Sequence, residues 1–138
     1  MSHPILALQA MLVAAFDDDD PLFVFMGPDR VFDAPPKHTQ PPYVVIARHD
    51  VLSRDGDLMP GHDHRVLLHV WAGEASRKAV LELAGRVLAV AMTAEFDGEL
   101  RVTHRQHDRT DTVIDRETGF ARAAMALRSS MGLRSLAG

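Results

Sequence analysis

Four prolines constrain this chain more than any other feature. From Arg30 the sequence runs Val31-Phe32-Asp33-Ala34-Pro35-Pro36, a polar gap, then Pro41-Pro42-Tyr43-Val44-Val45-Ile46. A proline has no N–H to give to a sheet ladder and fixes its own φ, so it stands at strand ends. Val31 to Asp33 therefore reads as a short strand stopped by Pro35 and Pro36. A longer strand starts at Pro42 or Tyr43 and runs to Val51.

The remaining elements follow from period. Ile5, Leu8, Met11, Leu12, Ala15 and Phe16 form one helical stripe, so a first helix covers Pro4 to Phe16, with proline in its first turn and Ser2 or His3 as cap. Asp17 to Asp20 end it, because carboxylates are disfavoured at a helix C-terminus. Leu22 to Met26 is either a tucked helical turn or a buried loop, and Gly27-Pro28-Asp29 is a turn. Arg65 to Trp71 is a third strand. Ser76 caps a second helix whose core stripe is Val80, Leu83, Ala84, Val87, Leu88 and Ala91. Phe96-Asp97-Gly98 turns the chain into a fourth strand, Glu99 to about Asp111. Gly119 to Ser129 is a fifth strand, although its alanines also suit a helix.

The expected fold class is α+β: a single antiparallel sheet of about five strands with two helices packed on one face. The 138 residues make one domain, 1–138, and 46% hydrophobic content is enough to fill its core. The strands raise a problem for the second face. Tyr43, Val45 and Ala47 alternate with Val44 and Ile46. Phe120, Ala124 and Ala126 lie opposite Ala121, Ala123, Met125 and Leu127. Both faces are apolar at the centre, whereas a half-solvated sheet alternates apolar with polar. Another copy of the chain is the expected cover, unless the long loops fold back.

Little in the sequence suggests reaction chemistry. No cysteine is present, which excludes disulfides, thiolate metal sites and a cysteine nucleophile, and fits a reducing compartment. No apolar run approaches the ~20 residues of a membrane span, and the N-terminus lacks the basic region of a signal peptide, so synthesis in the cytoplasm is expected. His49, Asp50, His62, Asp63, His64 and His69 are possible metal ligands, but without diagnostic spacing. The aspartates fail the calcium-loop pattern: counting from Asp17, the sixth residue is Leu22 and the twelfth Pro28, and counting from Asp55 the sixth is Pro60. There is no nucleophile elbow and no phosphate-binding loop. Arg101, Arg105 and Arg109 recur at every fourth position and should share a strand face with Thr103 and His107; Arg122 and Arg128 add to it. That face is a solvated surface, or a contact for an acidic partner or for nucleic acid. A net charge of −4 argues against general nucleic-acid binding.

The order of these pieces resembles a known family. Leu8-Gln9-Ala10-Met11-Leu12, Arg30 to Pro35, Pro42 to Ile46, Leu67-Leu68-His69-Val70-Trp71, the helix after it and a closing strand from Gly119 to Leu127 are similar to the small tail-completion proteins, or tail terminators. These belong to long-tailed phages and phage-derived gene transfer agents. The acidic run Asp17 to Asp20 and the stretch Gln106 to Thr118 lie outside the resemblance. It implies a homo-oligomeric, typically hexameric, ring at the head-tail junction of a particle assembled in a bacterial cytoplasm. The ring would cap the tail-tube protein, stop its polymerisation and meet the head-side connector (stopper) protein, with DNA in transit through the lumen. It implies no catalytic residue, no metal, no cofactor and no membrane partner.

Two long loops, Ser53 to Asp63 and Gln106 to Thr118, are the expected docking segments, with Arg54, Asp55, Asp57, Met59, His62, His107, Arg109 and Arg116 as candidate contacts. Val44, Ile46, Phe120 and Met125 mark the strands expected to self-associate. The runner-up reading is a small metal-dependent enzyme built on the His49/His62/His64 cluster with Asp50.

Overall fold

The computed structural model describes residues 3–53, 61–95 and 100–133. Arg54, Asp55, Asp57 and Met59, and the Phe96-Asp97-Gly98 turn, lie outside the described residues. The elements in chain order are α1 (Pro4–Asp17), α2 (Asp20–Met26), β1 (Val31–Phe32), β2 (Tyr43–Ser53), β3 (Gly61–Trp71), α3 (Arg77–Thr93), β4 (Leu100–Ile114) and β5 (Ala121–Leu133).

The helices start where the sequence offers a cap. Pro4 opens α1, and His3 Nδ1 accepts the Ile5 N–H at 3.1 Å. Ser76 Oγ accepts from Ala79 N at 3.1 Å and caps α3. Asp19 accepts from Leu22 N at 3.1 Å, so the acidic run both ends α1 and caps α2. Leu22 to Met26 is thus helix, with Pro21 in its first turn, and it stops at Gly27, whose φ of 82° suits glycine.

The sheet order is β1-β2-β3-β5-β4. β2, β3, β5 and β4 pair antiparallel, but β1 runs parallel to β2, with Val31 opposite Val44. The sheet is therefore mixed rather than purely antiparallel, and among the described residues three helices rather than two accompany it, within the expected α+β class. The prolines behave as expected: β1 ends before Pro35 and β2 begins immediately after Pro42.

All three helices lie on one face. Leu8, Leu12 and Phe16 of α1, Leu22 of α2 and Val80, Leu83, Ala84, Val87, Val90 and Ala91 of α3 join Val44, Ile46, Leu68, Val70, Ala123 and Met125 in one core. Arg86 of α3 donates to both carboxylate oxygens of Asp19, at 2.9 and 2.5 Å, and ties α2 to α3. That guanidinium holds the Asp19 carboxyl below its ordinary range.

Strand extents and faces are where expectation and structure part. β2 reaches Ser53 and β3 starts at Gly61, so His62 and Asp63 are strand residues. β4 continues to Ile114, and most of the expected Gln106–Thr118 loop is strand; only a tight turn from Asp115 to Phe120 remains. There Asp115 Oδ1 accepts from Glu117 N at 2.8 Å and Thr118 N at 3.3 Å. Bulges interrupt the register between Ile46 and Arg48, Val102 and His104, and His107 and Arg109. An extra residue reverses the face of everything beyond it.

Candidate assembly surfaces

The bulge next to Ile46 puts His49, Val51 and Ser53 on the helix-covered face, opposite Val66, His64 and His62. His49 and His64 meet there. Gln9 Nε2 donates to His49 Nδ1 at 3.2 Å, which leaves His49 Nε2–H to donate to His64 Nδ1 at 2.8 Å. His64 is 1% exposed, and burial, followed by the proximity of His49, pushes its pKa down to about 4. Burial also lowers His49. The His62 ring lies 6.3 Å from that of His64.

Asp50 projects from the other face, and its carboxylate binds Arg48 at 3.0 Å. The expected His49/His62/His64/Asp50 set is thus split across the sheet. No three metal-ligating side chains converge among the described residues. The paired histidines act as a polar bridge between α1 and the sheet.

The arginine row is split in the same way. Arg101 pairs with Gly132 and Arg109 with Ala126 on the open face, but Arg105 pairs with Ser129 on the helix face, as does His107 with Leu127. Arg105 donates to the Ala91 carbonyl at 3.2 Å and to the Ala94 carbonyl, and so satisfies the C-terminal end of α3. His107 and Arg109 are exposed on a strand rather than in a loop, His107 against Thr110 Oγ1 and Arg109 against Asp111. Only Arg116 of this group sits in the hairpin turn.

Of the residues expected to mark self-association, Val44, Ile46 and Met125 have their side chains in the subunit's own core, at 0, 7 and 1% exposure. They pack in the core with residues of all three described helices. Phe120, at the end of the hairpin turn, is half-buried.

The face opposite the helices carries different residues. Cross-strand partners place Tyr43, Trp71, Arg122 and Val113 in one row, Val45, His69, Ala124 and Asp111 in the next, and Leu67, Ala126 and Arg109 in a third. The apolar members near the centre are half-buried to buried by their neighbours alone; no described helix packs over them. Phe32 of β1 extends the strip, edge-on to Tyr43 at 5.8 Å. Beyond the strip the face turns charged, with Arg128 bound to Asp108 at 2.8 Å and Ser130 Oγ donating to Asp63 at 2.8 Å. At the edge, β4 offers fifteen residues to a partner strand, tempered by its charges and two bulges.

One apolar surface has no counterpart in the expectations. On α2, Phe23, Val24 and Phe25 are 55, 85 and 43% exposed, while Leu22 is buried. The signal was available: a helix of seven residues can bury only one side, so a run of five apolar residues must leave some outside.

A topology of this kind, with an apolar sheet face that no described helix covers, suits a subunit of an assembly. The family described as "Tail completion protein gp17" matches residues 10–131, and the chain belongs to that family. Its role is structural, in tail assembly. A chain from a solved structure described as "Virion of native gene transfer agent (GTA) particle" has the same fold, with a TM-score of 0.79 at 20% identity; the likeness covers 95% of this chain and 99% of that one. No curated protein matches significantly. Among the described residues no helix is long and apolar enough to cross a membrane.

Proposed function

We propose that the chain forms a closed, hexameric homo-oligomeric ring that caps the tail tube at its head-side end. There it stops tube polymerisation and joins the tube to the connector (stopper) protein. The observation that carries this reading is the apolar strip of Tyr43, Val45, Leu67, Trp71, Ala124 and Ala126, which the subunit's helices leave uncovered. A ring shelters such a strip through one contact repeated around an axis. Membership of the tail completion family supports the location, and so does the likeness to a chain of a gene transfer agent virion.

The segment 54–60, with Arg54, Asp55, Asp57 and Met59, and the β4–β5 turn with Arg116 are the candidate contacts for the tube and the connector. DNA passes through the lumen without tight binding, in keeping with a net charge of −4. Electron micrographs of particles made without this protein test the reading. Overlong or headless tails are expected; tails of normal length joined to heads would refute it.

A further inference from the structure

We infer that neighbouring copies meet head to tail, α2 of one seated in the hollow at the Trp71 end of the next copy's open sheet face. The inference rests on the ring reading and adds the contact that closes it.

Two surfaces of the same chain are complementary and lie on opposite layers. On the helix layer, Phe23, Val24 and Phe25 project from α2, and Val24 is 85% exposed. Exposed Asp17, Asp18 and Asp20 flank them. The knob is rigidly held: Leu22 is 1% exposed beneath it, and Asp19 is clamped by Arg86. A rigid apolar projection loses little conformational entropy on binding.

Across the sheet is a hollow of about 320 Å³ lined by Trp71, Val113, Ile114, Asp115, Arg116 and Arg122. Its apolar wall includes Val113, 45% exposed. Its charged wall carries two arginines, Arg116 and Arg122, beside a single carboxylate, Asp115, whose Oδ1 accepts from the turn's own N–H groups. Arg122 reaches Asp111 only at 3.6 Å, and its buried Nε has no hydrogen-bond partner among the described residues. An apolar knob with an acidic collar matches an apolar hollow whose two arginines outnumber its one carboxylate. Because the surfaces differ and sit on opposite sides of the sheet, the contact is heterologous, as a closed ring requires.

The chain contains no cysteine, so engineered thiols report cleanly. Val24→Cys and Val113→Cys are made as separate variants, mixed and mildly oxidised, both as purified protein and within particles. A disulfide joining one of each variant is expected, with neither variant linking to itself. The double variant should give a ladder ending at a closed species. Asp20→Arg should lower the cross-link yield, and Arg116→Asp in the neighbour should restore it.

A closed oligomer without the mixed cross-link would overturn this contact and leave the ring intact. Capture of Val24→Cys by a different tail protein would overturn it too, as would Val24-to-Val24 linkage, which means a two-fold contact. A chain that stays monomeric both free and in particles would overturn the contact and the ring together.

Discussion

Gln9, His49 and His64 form a chain of hydrogen bonds whose direction is fixed by its first donor. Because Gln9 Nε2 can only donate, His49 must accept at Nδ1 and give at Nε2, and His64 must accept at Nδ1. A proton on His64 Nδ1 removes that acceptor and sets two N–H donors against each other in the core, with a buried cation beside them. His64 titrates at about 4 when folded against an ordinary 6.5, so between those values the unfolded chain holds more protons. Its contribution is fully present above about pH 6.5 and is lost as the pH falls towards about 4. Urea midpoints should fall steadily over that window. His64→Gln keeps an acceptor for His49 but cannot titrate there, and its midpoints should change less with pH; an unchanged slope would remove His64 from the account. This pair was hidden in the sequence: strict alternation puts His49 opposite Ile46, and one inserted residue brings them to the same face.

Among the elements, α3 was the most legible, because its apolar residues recur at 3.6 and Ser76 stands where a cap belongs. Leu83→Ala, at a site 2% exposed, should cost about 2–5 kcal/mol, while Leu81→Ala on the outer side, 45% exposed, should cost under about 0.5 kcal/mol by denaturant unfolding. Equal costs would mean the helix is rotated. β4 was the least legible. Its outer half is almost wholly polar because it is an edge strand, so it resembles a loop, and its bulges leave no trace in composition. Those bulges turn Arg105 inward to the end of α3. Arg105→Ala should therefore destabilise by roughly 1.5–3 kcal/mol, whereas Arg101→Ala, on the open face, should be nearly silent in the same assay. β1 gave away its ends through its prolines but not its direction, since two residues carry no signal for parallel pairing.

At the scale of the molecule, the two-sided apolar strands were readable, and they held the most information about function. One side became the core under three helices; the other remained a strip without a described helix over it. Of the residues that mark the strands expected to self-associate, Val44, Ile46 and Met125 are the inward-pointing alternates, while Tyr43, Val45, Ala124 and Ala126 point outward. Pattern alone reveals that a strand has two apolar faces but not which one the helices take. The exposed run on α2 left a signal in its five consecutive apolar residues, but the hollow beside Trp71 depends on what lies next to it in space and left none. The most direct measurement is a cryo-electron microscopy map of intact particles at side-chain resolution. The account predicts six copies of this chain in a closed ring at the head-side end of the tail tube, with Tyr43, Leu67 and Trp71 covered by a neighbouring copy. A map with this chain elsewhere, or with that face open to solvent around the ring, would contradict it.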